Sequence, residues 1–592
     1  MLPNDPVPGE KRNGVDPGEW TPDHLGLPPD CPVIPLGVDG PINWCLDTIG
    51  QLVAYTKPYG QADTLELFRG RHDYLKWAWP RHDKGGRVDS WRNELVRETI
   101  IAACTAKGPW SPVERLRGRG AWLDEGGSIV YHLGHKLWIG GRAHPPGEIG
   151  GHVYQTRPRL PGPWPQPVPE TENPARLLRP MLQSWAWARP DVDPMLLTGW
   201  IACAMVGGAL PWRPACYITG DKGTGKSTLQ DLVKRLLGDA LIQAVDTSAA
   251  GLYQHMGHDC LAVAVDELEG ESDTRKTKAV LKLARIAASG GLMLRGGDRH
   301  QGVEFRARSC FLFSSINTPP LEPQDLSRMA LLRLHQLPRG AREPDLNPGT
   351  MAMMGQAILR RMIDQWHRFG ETWQAFRAEL REAGMDSRGQ DTFGVLLAAA
   401  DLLEHDGWDE ARLRVPAAGD LMPIRQLMAV GNMGEFEDAT ANWLGCLSHL
   451  LSVHVEAWRS GARKTVGQVI EGYFNGDDDI STSGLARGLL SQAGLSLVSV
   501  GPKDDRLVIP NQNPLTRQLF EGSKWAGEAG AGVWSGALRQ APPDLQEPGQ
   551  ARINGVKSRA TLIRLAGLYG PDGIMRTTHD PTAGFPDPIQ GT

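Results

Sequence analysis

No C-x-x-C pair occurs in the 592 residues, and the eight cysteines (31, 45, 104, 203, 216, 260, 310 and 446) stand far apart. That scatter argues against a zinc ribbon and against a disulfide framework, and a reducing cytoplasm is the expected setting. Excess positive charge is also lacking. The 63 Lys and Arg against 68 Asp and Glu leave a net charge of −5, so any DNA-contacting surface must be local. The opening residues Met1, Leu2, Pro3, Asn4, Asp5 and Pro6 are polar and broken by proline, unlike a signal peptide. The uncharged run 195–212 is almost long enough to span a bilayer, but it holds three glycines and a threonine and leads straight into an apolar strand. It reads as a buried helix, with no membrane role. No internal repeat is present.

What remains is the composition of a globular protein, 41% hydrophobic and 22% charged, in a chain too long for one core. Residues 1–156 read as a mixed α/β N-terminal domain, with a helix over 89–104 and strands at 128–133 and 136–139. A Pro-rich stretch, 157–174, reads as a linker. Residues 175–345 alternate helix and strand as a parallel sheet covered by helices requires. Residues 346–450 carry helical periodicity, over 351–381 and 392–405, and read as a helical lid. In 451–570, two helices and a hairpin between 465 and 511 have the order of a winged helix. The tail 571–592 is punctuated by Pro and Gly. The twenty tryptophans read mainly as core and interdomain anchors.

The strongest motif is Gly220-Asp221-Lys222-Gly223-Thr224-Gly225-Lys226-Ser227, followed by Thr228. It fits the phosphate-binding loop G-x-x-x-x-G-K-[ST], with an apolar strand before it and a helix after it. Glycines let the backbone curl around phosphates, and the helix start offers N–H groups and a positive dipole end. Lys226 is then expected to hold the β- and γ-phosphates of ATP, and Ser227 to bind Mg²⁺. Forty residues on, an apolar run from Cys260 ends in Asp266-Glu267, a Walker B arrangement. Asp266 is expected to complete the Mg²⁺ site and Glu267 to polarise the attacking water.

A third apolar strand, from Cys310, ends at Asn317, whose amide can orient water beside the γ-phosphate. Arg328 follows, placed to stabilise charge on a neighbouring subunit's γ-phosphate, with Arg333 in reserve. Between these motifs, Arg275, Lys278, Lys282 and Arg285 fall on one helical face, separate from an apolar stripe of Val280, Leu283, Ala284 and Ala287. A hairpin over 292–308 carries Arg295, Arg299, His300, Arg306 and Arg308 against Asp298 and Glu304. Such a basic turn can track a phosphate backbone.

Together these motifs resemble the AAA+ P-loop ATPase modules of phage and plasmid replication proteins, the superfamily 3-like helicases of primase-helicase polypeptides. The resemblance covers about residues 190–340. The flanking segments Arg117-Gly-Arg-Gly-Ala-Trp122 and Leu519-Phe-Glu-Gly-Ser-Lys-Trp525 also look like prophage-encoded proteins. The family implies a hexameric ring that hydrolyses ATP with Mg²⁺ to move along single-stranded or forked DNA, alongside replication partner proteins. It puts Asn317 at the sensor 1 position and Arg360 or Arg361 at sensor 2. Without zinc-ribbon cysteines or a D-x-D strand, primase activity is not implied. The long helical region after Arg328 leaves a helicase loader or initiator switch open. A protein remodeller is the other alternative, although the basic hairpin turn differs from an aromatic pore loop. In the C-terminal region, Arg487, Lys503 and Arg506 are candidate phosphate contacts and Asp477, Asp478 and Asp479 oppose them; such a domain can equally bind protein.

Overall fold

The computed structural model describes residues 10–570 except 246, 269–273, 296–302, 317, 320, 339, 342, 418, 434, 436–441, 456–463, 477–482, 502–503, 524, 527–532 and 554–555. The chain forms two compact units, Met1–Glu437 and Asp438–Thr592. The first therefore takes in the N-terminal segment, the Pro-rich stretch, the sheet and most of the helices that follow it.

The N-terminal part is mixed α/β. A three-stranded antiparallel sheet, Ile34–Asp39, Ile42–Leu46 and Leu52–Tyr55, packs on the helix Asn93–Lys107. That helix starts four residues later than its periodicity suggested, because Val88–Trp91 pairs with Pro80–His82 instead. The strands expected at 128–133 and 136–139 are Ile129–His132 and Leu137–Ile139, neighbours in a four-stranded sheet. The Arg117–Trp122 motif has a packing reason. A Cβ on Gly118 would lie 2.3 Å from the His258 carbonyl carbon, so only glycine lets the two backbones meet. There Cys260 N–H donates to Arg119 O at 2.9 Å, and Arg119 holds Asp259 at 2.6 Å.

The central sheet has five parallel strands: β1 (Ala215–Gly220), β2 (Leu241–Val245), β3 (Ala262–Asp266), β6 (Phe311–Ser315) and β7 (Met329–Leu334), in the order β2-β3-β6-β1-β7. Between β3 and β6 the chain inserts the hairpin β4 (Leu292–Arg295) and β5 (Val303–Arg306). The strands are almost wholly apolar, as a sheet buried on both faces demands. Helices α1 (Asp193–Met205), α2 (Lys226–Leu237), α3 (Ala249–Met256) and α4 (Thr274–Ala288) surround it. Every residue of α1 is buried, which accounts for the uncharged run at 195–212. Among the described residues no helix is long and apolar enough to cross a membrane.

Helices α5 (Pro348–Asp364), α6 (Phe369–Glu382) and α7 (Ser387–Glu404) share one hydrophobic core with the sheet. Capping fixes where two of them begin: Asn347 accepts from the Gly349 and Thr350 N–H groups at α5, and Asp386 from Gly389 at α7. Two glycines bring helices into backbone contact. A Cβ on Gly355 of α5 would lie 1.9 Å from Leu236 O of α2, and one on Gly199 of α1 would lie 2.0 Å from Leu396 O of α7. Alanine favours a helix over glycine by about 1 kcal/mol, but overpacking against a rigid carbonyl costs about 1–3 kcal/mol, so sterics win. Gly355→Ala is expected to lower the urea unfolding midpoint with an unchanged slope; an equal or higher midpoint refutes the close approach.

The Pro-rich stretch 157–174 is pinned along these helices. Arg360, ion-paired to Asp364 at 2.8 Å, donates to Pro165 O at 2.9 Å, and Arg361 donates to Val168 O at 2.7 Å and Leu403 O at 2.6 Å.

The second unit has the helix, helix, hairpin order expected: Val466–Asn475, Ser483–Gln492, then Ser496–Gly501 paired with Asp504–Pro510. A longer hairpin, Gln546–Ile553 and Val556–Arg564, completes a four-stranded antiparallel sheet. Arg506 does not offer itself to phosphate. It is buried, bonded to Asp504 at 2.9 Å and ion-paired with Glu547. Arg487 is exposed, while Lys503 and Asp477, Asp478 and Asp479 lie outside the described residues.

Candidate nucleotide-binding site

The carboxyl ends of β1, β3 and β6 open on one cleft of about 450 Å³, the place where an open parallel sheet binds ligands. The chain leaves β1 for the far edge of the sheet and returns through β3 and β6, so the strand order changes direction between β6 and β1. The loop after β1 lies at that point. Gly223 (φ +85°) and Gly225 (φ +83°) take left-handed backbone that side chains with a Cβ resist. Gly225 immediately precedes α2, whose free N–H groups face the cleft end. Lys222, Gly223, Thr224, Gly225, Lys226, Ser227 and Thr228 line it. Gly220 and Asp221 hold the loop's entry: the Lys226 ammonium donates to both carbonyls, the second at 3.0 Å, and the Thr224 hydroxyl caps Asp221 O at 2.9 Å.

Asp266 and Glu267 reach the same cleft from β3. Three donors converge on one oxygen of Asp266: the Ser314 hydroxyl at 2.6 Å, the Gln230 amide at 2.9 Å and the Glu267 N–H at 2.9 Å. This fixes the carboxylate in the cleft that Ser227 also lines. Among the described residues no group of three His, Cys, Asp or Glu could hold a metal. The donor set nevertheless suits Mg²⁺, which takes one or two protein oxygens and completes its shell with phosphates and water. Ser227 and Asp266 are the residues that fit it.

Glu267 sits at φ +55°, a conformation that costs a non-glycine residue about 1–3 kcal/mol and persists only where its surroundings impose it. Here they do. Leu268 N–H donates to Ser314 O at 3.0 Å and the Tyr217 hydroxyl to Leu268 O at 2.8 Å, so β6 and β1 clamp the turn. Glu267 is exposed and lines the cleft.

The insertion of β6 between β1 and β3 brings Ser315 and Ile316 to the cleft wall. Thr219 of β1 ties down Ile316 O at 2.9 Å. Asn317, the next residue, lies outside the described residues.

The opposite wall was not foreseen. Residues 186–188 add an antiparallel edge to β7, with His335 N–H bonded to Ala186 O at 2.7 Å and Ala188 N–H to Arg333 O at 2.9 Å. That edge presses Trp185 onto the phosphate loop, its indole N–H donating to Gly225 O at 3.0 Å. Leu337, Ala341, Glu343 and Pro344 close the remaining side. Of these additions, Ser314 and Gln230 carried a signal, as polar residues at a strand end and one turn into a phosphate-loop helix. Trp185 carried none beyond its type.

Arg328 is absent from this cleft. It precedes β7 at the other end of the sheet, where Ala215 pairs with Met329. Its guanidinium lies 5.7 Å over the Trp212 ring and donates to Gln324 O at 2.7 Å. Burial, then Arg388 and Arg285, push its pKa down from the ordinary guanidinium value. Arg360 and Arg361 do not line the cleft either; both are buried and bonded to the Pro-rich stretch.

The basic helix is α4. Arg275, Lys278 and Lys282 are exposed, while Val280, Leu283, Ala284 and Ala287 are buried, the two-faced arrangement its periodicity predicts. Arg285 sits 3.5 Å from Asp325. In the hairpin, Arg295 ends β4; Arg299 and His300 lie outside the described residues.

No protein-family model and no curated protein matches the chain. Among solved structures it is similar to the A form of the apo C-terminal region of NrS-1, at 13% identity and a TM-score of 0.29, over 81% of this chain and 91% of that one. A second A-form apo structure of that region, residues 305–718, is similar at 12% identity and a TM-score of 0.30, over 89% and 95%. A further apo structure of the same region is similar at 14% and 0.29, over 81% and 92%. Likeness of this size assigns no residue a role.

Proposed function

We propose that this chain is a Mg²⁺-dependent ATPase of the AAA+ kind that works on DNA as an oligomer, as a helicase or translocase. The observation that carries the reading is the convergence on one cleft of the Gly220–Thr228 loop, the fixed Asp266 and the strained Glu267. Phosphoryl transfer asks mainly for positioning and charge stabilisation, and each part has a residue here. Loop amides, the α2 N-terminus and Lys226 receive the phosphates, Ser227 and Asp266 receive Mg²⁺, and Glu267 takes the proton of the attacking water. When bound, Mg²⁺ neutralises charge between the β- and γ-oxygens.

DNA is supported as the substrate by the exposed Arg275, Lys278 and Lys282 on α4 and by the hairpin that follows it. Oligomerisation, with a hexamer as the family's form, is supported by Arg328, which serves hydrolysis only if it faces another subunit's cleft. A winged-helix role for Asp438–Thr592 rests on its helix, helix, hairpin order. The test is ATP hydrolysis by the purified chain with and without single-stranded and forked DNA. Turnover is expected to rise severalfold with DNA and the fork to separate. Hydrolysis indifferent to DNA points to a protein client and overturns the DNA reading.

A further inference from the structure

The long hairpin of the second unit outruns its sheet. Its inner neighbour Asp504–Pro510 follows Val556–Arg564 only as far as Pro510 opposite Ala560, with one more bond from Asn511 N–H to Arg559 O at 2.8 Å. Residues 550–553 and 556–559 therefore extend as a paired ribbon with no third strand beside them among the described residues. Within it, Gln550 pairs with Arg559, Ala551 with Ser558 and Arg552 with Lys557. Opposed residues of an antiparallel pair share a face, and faces alternate along each strand. Gln550, Arg552, Lys557 and Arg559 thus form one face, and all four are exposed.

Three features set this face apart from ordinary surface. First, residues 549–560 contain no Asp or Glu, and Arg552, Lys557 and Arg559 make no ion pair with a described residue. Second, Arg552 stands directly opposite Lys557, a like-charge pairing that destabilises a ribbon unless an anion lies across it. Third, the base of the same hairpin is treated oppositely: Glu547 pairs with Arg506 and approaches Arg564 at 3.9 Å. Cations are neutralised where the hairpin joins the sheet, whereas in 550–559 they have no ion-pair partner among the described residues. The two cross-strand pairs are about 6.8 Å apart along the ribbon, comparable with the distance between successive phosphates of a nucleic-acid strand. A two-stranded ribbon also fits the major groove of a duplex.

We propose that this ribbon contacts the phosphodiester backbone of nucleic acid, with Arg552, Lys557 and Arg559 as the charged donors and the Gln550 amide as a neutral one. It deepens the DNA-acting reading above, from which it takes its partner class, and moves the C-terminal contact from the neutralised Arg506 to the acid-free segment 549–560 of the long hairpin.

The test uses the full chain without nucleotide, so an inactive ATPase leaves it unaffected. Fluorescence anisotropy with labelled single-stranded and duplex DNA is measured across a salt series for the parent and for Arg552→Gln/Lys557→Gln/Arg559→Gln. The expected result is an affinity loss of about tenfold or more at low salt, with the slope of log K against log salt flattened by about 2–3. Whichever DNA form shows the larger loss is the one the ribbon receives. Because all three sites are exposed, the thermal unfolding midpoint is expected to stay put. Equal affinity and slope would show that the charges merely guard a sheet edge. Displacement of DNA by polyglutamate at matched charge would show a general polyanion surface. Either outcome overturns the proposal. ATP hydrolysis on the same preparations reports separately on the ATPase reading.

Discussion

Replacing Glu267 by Gln is expected to lower ATP turnover by about 10²–10⁴-fold, the usual contribution of a positioned general base, while ATP still binds. The expectation rests on the separation of tasks within one cleft. In the proposed reading the loop from Gly220 to Thr228 and Asp266 hold phosphate and Mg²⁺, and the Asp266 carboxylate is fixed by Ser314 and Gln230. Glu267 bonds Asp266 through its backbone N–H, and glutamine keeps that N–H and its length. What is lost is the ability to accept a proton. The left-handed backbone at 267 is imposed by Tyr217 and Ser314 through Leu268, so the substitution leaves the turn in place. Binding is read with a fluorescent ATP analogue and turnover by phosphate release. Turnover within twofold of the parent would remove Glu267 from the reaction.

Arg328→Ala is expected to lower turnover by about 10³–10⁵-fold, the range for an arginine that stabilises transferred phosphoryl charge. Under the proposed oligomeric reading, topology makes this a statement about two subunits. The register Ala215 with Met329 and Gly220 with Leu334 puts roughly 16 Å of strand between Arg328 and its own phosphate loop. Its Nε is buried with no hydrogen-bond partner among the described residues, and Arg388 and Arg285 crowd it with like charge. An arginine so placed is poorly satisfied within its own chain and suited to an anion from outside. Mixing Arg328→Ala with Lys226→Ala is therefore expected to restore activity that neither has alone, since some interfaces then join an intact cleft to an intact arginine. Failure of mixing to restore turnover, with co-assembly verified by size, would make Arg328 a structural residue.

Much of the site was legible because it is local. The phosphate loop, its strand and its helix span about twenty consecutive residues. The turn conformations of Gly223 and Gly225, the dipole end of α2 and the position of Lys226 follow from that stretch alone. The acidic pair was legible for the same reason, as two carboxylates ending an apolar run. So was the split of α4 into a basic face and an apolar stripe, because helical periodicity is a nearest-turn property. The Gly118–Gly120 motif could be seen but not explained: its reason lies at His258 and Cys260, 140 residues away.

By itself, then, the sequence determined the elements that lie within one strand, loop and helix: the glycine-rich loop Gly220–Thr228 between its strand and helix, the Asp266-Glu267 pair at a strand end, the buried α1 and the paired strands β4 and β5 before β6. Tertiary structure alone decided the rest. Strand order placed β6 between β1 and β3, and so brought Ser314 onto Asp266 and Ser315 to the cleft. An edge pairing with β7 delivered Trp185 to Gly225. Ion pairing and burial took Arg360, Arg361 and Arg506 out of the roles their residue types suggested, and left Arg552, Lys557 and Arg559 exposed. The physical reason is the same throughout. Whether a cation is available depends on which carboxylate or carbonyl lies beside it, and such neighbours stand up to about 200 positions away, as Val168 does from Arg361.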